Sequence, residues 1–133
     1  MSQAEQCIEL ARQAMSKAYV PYSNFQVGAV IETAEGELFS GCNVENASYP
    51  EGTCAEAGAI AAMVMGGGQR IKQIYVMGAG ELLVSPCGGC RQRIREFSDG
   101  LTLIHICSPE KGIRKTLSMD QLLPYSFGPS NLL

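Results

Sequence analysis

The arrangement of the chain is determined mainly by residues 54–90, which read CAEAGAIAAMVMGGGQRIKQIYVMGAGELLVSPCGGC. Residues 54–65 are rich in alanine and predict a helix, which the run of three glycines that follows is expected to end. Residues 71–77 are short, apolar and partly β-branched, which predicts a buried strand. After Pro86 a second helix is expected over about residues 87–97. The stretch therefore predicts two helices connected through one strand of a sheet.

The flanking segments supply the other elements. Apolar residues at spacings of three and four predict a first helix over residues 7–18, which Pro21 prevents from continuing. Residues 25–31 alternate in polarity and residues 38–44 read as extended, so together they predict a hairpin. Downstream, two strands and a short helix are expected at residues 101–107, 113–116 and 119–123. We predict one α/β domain over residues 1–133, a three-layer α/β/α arrangement with helices on both faces of a five-stranded mixed sheet.

The composition limits the classes of partner. A chain of 133 residues with 46% apolar residues is long enough to bury one core. The net charge is −3 and the ten basic residues form no run, which argues against binding to nucleic acid or to an anionic membrane. No window approaches the roughly 18 apolar residues of a membrane span, and the polar N-terminus lacks the features of a signal peptide. We therefore expect a cytoplasmic protein that acts on a small molecule.

Three cysteines in the decisive stretch are expected to meet in space. A helix of about a dozen residues carries the chain roughly 18 Å away from Cys54, and a strand of about seven residues returns it roughly 23 Å. Both helix starts then lie at the carboxyl edge of the sheet, where open α/β folds bind ligands. Cys87 and Cys90 share one face of their helix, and Cys54 adds a third sulfur. The positive ends of the two helix dipoles are expected to help keep these sulfurs deprotonated.

Three sulfur ligands predict a catalytic zinc site. They leave a tetrahedral zinc ion one open position for water, whose pKa zinc lowers from about 15.7 toward neutrality. Glu56 is a poor zinc ligand beside three thiolates, but it lies two residues from Cys54 and is placed to move protons to and from that water. We interpret Glu56 as the general base and general acid of a hydrolytic reaction.

Other interpretations of the cysteines stay open at this point. Cys87-x-x-Cys90 by itself fits a structural zinc or redox site about as well as a catalytic zinc site. A thioredoxin-like motif is disfavoured, because Pro86 precedes the pair and a third cysteine lies in an acid-bearing motif. A closed structural zinc site needs a fourth ligand, and the candidates, each more typical of a core position, are Cys7, Cys42, Cys107 and His105.

Further segments carry a resemblance to a known family. Residues 21–29 read PYSNFQVGA, residues 41–49 read GCNVENASY and residues 122–124 read LLP. With the two cysteine motifs, they resemble the small tetrameric cytidine deaminases of the three-cysteine type over nearly the whole chain. The resemblance implies the cytidine deaminase-like fold, one Zn²⁺ per subunit, and hydrolytic deamination of cytidine or deoxycytidine to uridine or deoxyuridine in pyrimidine salvage. It also implies a homotetramer in which neighbouring subunits complete each pocket.

The resemblance assigns roles to residues outside the cysteine motifs. Phe25 is expected to stack on the pyrimidine, and Asn43 and Glu45 are expected to bind the ribose hydroxyls. The chemistry agrees, because an aromatic face suits a flat base, and an amide and a carboxylate suit hydroxyl groups. Ala47 and Tyr49 match positions that help to complete a neighbouring subunit's pocket, and Phe127 resembles the C-terminal aromatic residue that covers the sugar.

One departure from the family pattern concerns the metal site. The family reads Cys-Ala-Glu-Arg-Thr, with an arginine that donates to the zinc-bound cysteines, whereas this chain has Ala57 and Gly58 after Glu56. Three thiolates and one divalent ion total −1. Unless another cation or the helix dipoles compensate, zinc should be a weaker Lewis acid here. We hypothesise that deaminase chemistry is retained but differently tuned, with a substrate other than cytidine as one outcome.

Two rival functions follow from the same residues. The first is deamination of another amino-substituted nucleoside or heterocycle, and Asn43 and Glu45 favour a ribose-bearing ligand among these. The second is a catalytically silent zinc-binding homologue, which ammonia release from any cytosine compound would exclude. Editing of polymeric nucleic acid is disfavoured by the acidic charge balance and by the lack of a basic, aromatic-lined channel.

Overall fold

The computed structural model describes residues 1–133, which form five strands and four α-helices. The strands are β1 (Val27–Thr33), β2 (Leu38–Cys42), β3 (Ile71–Gly78), β4 (Leu103–Ser108) and β5 (Gly112–Ser118). The helices are α1 (Gln3–Ser16), α2 (Ala55–Met65), α3 (Gly88–Glu96) and α4 (Met119–Leu122). Two short 3-10 turns lie at Tyr49–Glu51 and Pro129–Asn131. None of the helices has the length and apolar composition that crossing a bilayer requires.

The strands form one mixed sheet in the order β2-β1-β3-β4-β5. β1 pairs antiparallel with β2 and β3, and β4 pairs antiparallel with β5. β3 and β4 are parallel, so they need a crossover connection, and α3 lies within it. The predicted five-stranded mixed sheet is confirmed.

Alternation along the central strands builds a core on each face of the sheet. In β3, Ile74 and Val76 pack with residues of α2, α3 and α4, whereas Tyr75 and Met77 pack with residues of α1. This is the period of two that a strand imposes on its side chains. Helices therefore cover both faces, and the predicted three-layer α/β/α arrangement is confirmed.

A glycine fixes the distance between α2 and the sheet. A Cβ atom at Gly41 in β2 would lie 2.6 Å from the carbonyl oxygen of Ala55 and 2.7 Å from the carbonyl carbon of Gly58, and closer still to the backbone nitrogen of Ala59. These are backbone atoms of α2, which cannot turn aside as a side chain can. Only a residue without a Cβ lets the first turn of α2 approach the strand this closely.

Some predicted boundaries differ from the observed ones by a few residues. The first helix ends at Ser16, before the predicted residue 18. β2 ends at Cys42, and Val44 makes only isolated bridges to Tyr19 and Thr53. β4 begins at Leu103, two residues after the predicted start, because the Asp99 carboxylate accepts the backbone N–H groups of residues 101 and 102 in a turn. Such local side-chain bonds compete with strand pairing.

Candidate metal centre and active site

The structure brings the three cysteines of the two motifs together. The Sγ atoms of Cys54, Cys87 and Cys90 all lie within 4.8 Å of one another, and those of Cys54 and Cys87 are 3.9 Å apart. Cys54 is the N-cap of α2, Cys87 is the N-cap of α3, and Cys90 lies in the first turn of α3. All three are free thiols. The sequence predicted this convergence from the matching lengths of helix and strand.

The three thiols differ in their electrostatic surroundings. The backbone N–H of Cys90 is the main cause of a lowered pKa at Cys87, which is the effect expected at a helix N-terminus. Burial is the main cause of raised pKa values at Cys54 and Cys90, and the negative charge of Glu56 acts in the same direction at both. The helix starts alone therefore do not keep all three sulfurs deprotonated, and a cation among them is needed for that.

Glu56 lies in the first turn of α2, directly beside the sulfur cluster. Its side chain is buried, with 4% of its surface exposed. Burial raises the pKa of the Glu56 carboxyl, while the Cys90 thiol and the positive charge of Arg93 lower it by smaller amounts. A carboxyl group whose pKa is shifted toward neutrality by burial is suited to both accepting and releasing a proton.

A cavity of about 290 Å³ opens in front of this cluster. Cys54, Cys87 and Glu56 line it, and Asn43 and Glu45 contribute polar side chains. Apolar residues from three separate segments complete the walls, namely Val27, Val76 and Val84. A mainly apolar hollow with a few convergent polar groups is typical of a small-molecule site.

The comparisons with known proteins agree with this geometry. Residues 1–106 match the model of the cytidine and deoxycytidylate deaminase zinc-binding region. The chain belongs to the cytidine and deoxycytidylate deaminase family. The deaminase from Sporosarcina psychrophila, a cytidine deaminase, is 38% identical over 128 residues, which cover 96% of this chain and 93% of that protein.

Two further relatives extend the family match. A cytidine deaminase from Mycobacterium tuberculosis is 40% identical over 124 residues, covering 92% of this chain and 87% of that protein. The crystal structure of cytidine deaminase from Burkholderia pseudomallei superposes with a TM-score of 0.87 at 38% identity, covering 96% of this chain and all of that chain. The cytidine deaminase-like fold is thereby confirmed.

The sulfur cluster of this deaminase family member fits a zinc ion. Zinc–sulfur bonds of about 2.3 Å in a tetrahedron place two sulfurs about 3.8 Å apart, close to the 3.9 Å between Cys54 and Cys87. No further cysteine, histidine, aspartate or glutamate belongs to the cluster. Three soft donors without a fourth protein ligand match the donor set of a catalytic rather than a closed structural site.

Asn43 and Glu45 line the cavity, and both also hold the loop before β1. The Asn43 side chain accepts the backbone N–H of Val27 at 2.8 Å and donates to the carbonyl oxygen of Phe25 at 2.9 Å. The Glu45 carboxylate accepts the backbone N–H groups of residues 22 and 23 and the hydroxyl of Ser23. The Ser23 hydroxyl is the main cause of a lowered pKa at Glu45, so this side chain is a carboxylate at neutral pH. The roles of both residues toward ribose stay predictions.

Of the remaining residues predicted to contact the substrate, only some lie at the cavity of their own chain. Phe25 is 45% exposed and lines an adjoining hollow that shares Val84 and Ser85 with the cavity. Tyr49 lines the cavity and is 77% exposed. Ala47 and Phe127 are exposed and do not line the cavity of their own chain.

The residues considered as a fourth ligand have other roles. Cys7 and Cys107 are buried with Tyr75 in the core beneath α1. Cys42 is half-buried at the end of β2. Both ring nitrogens of His105 are bonded at 2.8 Å, Nδ1 to the Thr116 hydroxyl and Nε2 to the side-chain carbonyl of Gln73. His105 is thus a satisfied structural residue, as the sequence indicated.

One residue of the site was missed by the sequence analysis. Nη1 of Arg93 donates to Sγ of Cys90 at 3.5 Å, so a cation does lie beside the sulfur cluster despite Ala57. The weaker Lewis acid was expected only if no other cation lies near the sulfurs, and Arg93 is such a cation. The signal was present in the sequence, because Arg93 follows Cys90 by three residues, a spacing that places both on one helix face.

Proposed function

We propose that this chain catalyses the hydrolytic deamination of cytidine and deoxycytidine to uridine and deoxyuridine, with release of ammonia. The observation that carries the proposal is the convergence of three cysteine sulfurs, without a fourth protein donor, beside a buried glutamate in one cavity. Water is the co-substrate, and the exocyclic C4–N bond of the base is the bond that breaks.

Cys54, Cys87 and Cys90 hold the zinc ion in this proposal. When bound, zinc supplies Lewis acidity that makes water a nucleophile at neutral pH. The two helix N-termini and the first turn of α3 fix the three sulfurs relative to each other, so the ligand set is built by the fold.

Glu56 moves the protons. Its carboxylate takes a proton from the attacking water and delivers it to N3 of the pyrimidine, which leaves C4 bonded to both oxygen and the amino group. Glu56 then carries the second proton of that water, from the oxygen on C4, to the departing amine. The C4–N bond breaks, giving ammonia and the uracil carbonyl. Burial favours this role, because it raises the pKa of the carboxyl toward the working pH.

The cavity and the adjoining hollow together orient the nucleoside. Phe25 stacks on the base, and Asn43 and Glu45 bind the ribose hydroxyls, with the carboxylate already ionised and held by the Ser23 hydroxyl. Because the same two side chains hold residues 22–27, ribose binding and loop position are coupled.

We further propose a cytoplasmic homotetramer of pyrimidine salvage with one Zn²⁺ per subunit. The exposure of Tyr49 and Phe127 supports this assembly, since large aromatic side chains at a pocket rim are suited to complete a neighbour's site. Ala47 joins them in that interface. No nucleic acid or membrane partner is proposed, in keeping with the net charge of −3.

The test combines metal content with product formation. The purified chain is assayed for zinc per chain and for ammonia release from cytidine, deoxycytidine, free cytosine and adenosine. We expect about one zinc per chain and turnover of the two cytosine nucleosides in preference to cytosine. A zinc-loaded chain that releases no ammonia from any cytosine compound, or that prefers adenosine, would overturn the proposal.

A further inference from the structure

Helix α3 carries three arginines, and two of them have ordinary structural partners. Arg91 donates to two backbone carbonyls and the Ser85 hydroxyl, and Arg95 donates to a backbone carbonyl and the Ser126 hydroxyl. Arg93 lies between them in sequence but forms no ion pair with a carboxylate. Its guanidinium reaches the sulfur cluster instead, where Nη1 donates to Cys90 Sγ at 3.5 Å.

The backbone next to Arg93 leaves room for this contact. A Cβ atom at Gly89 would lie 3.2 Å from Nη1 of Arg93, which is tighter than ordinary van der Waals contact. A Cβ atom at position 89 would therefore shift the guanidinium by a few tenths of an ångström. The bare backbone of Gly89 lets Arg93 fold back across the first turn of α3, toward the cysteines at its start.

The charge of the metal site favours such a group. Three thiolates and one divalent ion total −1, and this chain has Ala57 at the position where the resemblance given in the sequence analysis implies an arginine. Arg93 follows the third cysteine by three residues, as position 57 follows the first, and the same helical spacing brings it onto the face of Cys90.

We propose that Arg93 supplies, from α3, the positive charge and the N–H donor that the metal site lacks at position 57. The inference rests on the proposed function, because it assumes a zinc ion among the three sulfurs. Arg93 acts through Cys90 and is a positioning residue. Its N–H···S bond orients the thiolate, and its charge offsets the excess negative charge of the metal site. A guanidinium serves this purpose because it stays charged at every working pH.

The experiment measures zinc affinity by competition with a chromogenic chelator, and the sulfur-to-metal absorption of the Co²⁺-substituted chain. Loss of a partner that orients a metal ligand typically lowers metal affinity about 10- to 100-fold, and we expect Arg93→Ala to fall in that range. Arg93→Lys should recover part of the loss. The double variant Ala57→Arg, Arg93→Ala should recover more, because it restores the donor from α2. In the loaded enzyme, kcat should fall in Arg93→Ala while KM is unchanged.

The matched control is Arg70→Gln, which removes the same unit of charge from an exposed side chain paired with Asp99 at 3.8 Å. We expect it to bind zinc as the unsubstituted chain does. Equal zinc affinity and equal Co²⁺ spectra in Arg93→Ala and Arg70→Gln would overturn the inference. In that case a wild-type chain that binds zinc and releases ammonia leaves the proposed function standing, whereas a wild-type chain that does neither refutes the proposed function itself.

Discussion

The contact between Gly41 and α2 gives a sharp test of how the fold positions the site. In Gly41→Ala the new Cβ atom would meet the Ala55 carbonyl oxygen at 2.6 Å, against an ordinary contact distance of 3.4–4 Å. The opposing atoms belong to the helix backbone, so α2 must move away by roughly 1 Å. Overpacking of this kind typically costs about 1–3 kcal/mol of unfolding free energy.

The displacement also reaches the chemistry, because Cys54 and Glu56 lie at the start of the helix that moves. A misplacement of about 1 Å in a catalytic group typically lowers turnover on the order of 100-fold. We therefore expect Gly41→Ala to lose both stability in urea unfolding and ammonia release from cytidine, with zinc affinity falling as well.

Gly58 provides a matched control on the other side of the same contact. A Cβ atom there would lie 3.5 Å from its nearest neighbour, the Cys42 carbonyl oxygen, which is ordinary van der Waals distance. Replacing a helical glycine by alanine typically adds about 0.5–1 kcal/mol of stability, so Gly58→Ala should unfold at higher urea concentration. Shifts of the urea midpoint in the same direction and by similar amounts in the two variants would contradict this account of the Gly41 contact.

Three further predictions concern individual side chains. Glu56→Gln should keep its zinc content and circular dichroism spectrum but lose about 10²- to 10⁴-fold in the rate of ammonia release, and near-normal turnover would assign the proton transfers to another group. Asn43→Ala removes the hydrogen-bond partners of the Val27 N–H and the Phe25 carbonyl, so it should lower the unfolding free energy by about 1–2 kcal/mol and raise KM for cytidine. An unchanged KM would show that Asn43 does not bind the substrate. Burial lowers the pKa of His105, so the His105 ring binds a proton more readily in the unfolded chain than in the folded one. The stability that depends on the neutral ring is therefore present above about pH 6.5 and is lost as the pH falls below that value. Between pH 7 and pH 5, the unfolding free energy should therefore change less with pH in His105→Gln than in the unsubstituted chain, by up to about 1.4 kcal/mol per pH unit. Identical slopes in the two chains would contradict the expected loss of stability on protonation of His105.

Periodicity and chain length were sufficient to predict the elements of the fold and the meeting of the three sulfurs. The helix over residues 54–65 and the strand over residues 71–77 nearly cancel in length. Each length follows from the number of residues and the fixed rise per residue of a helix or strand, so it can be read from the sequence. Element ends were less predictable, because they depend on side-chain bonds such as that of Asp99 to the turn before β4. The sequence carries the residues of such a turn but not its geometry.

The side chains of the site show a different limit. The bonds of Glu45 to residues 22 and 23 depend on a loop that includes Asn24 in a left-handed conformation, with φ of 59°. Spacing patterns contain no information about such a loop. Arg93 was overlooked for another reason, since the comparison with the family directs attention to position 57, whereas the compensating group lies on a different helix.

The two helix starts are held by contacts that do not involve the sulfurs. Gly41 fixes the approach of α2, and the bridge between Val44 and Thr53 holds the chain just before Cys54. Arg91 ties the start of α3 to the carbonyl oxygens of Pro86 and of Leu122 in α4 at 2.8 and 3.0 Å. Helix packing on the sheet therefore contributes to the spacing of the cysteines. Because Arg91 already anchors the helix, Arg93 is not needed for that purpose, and its guanidinium is free to serve the sulfurs.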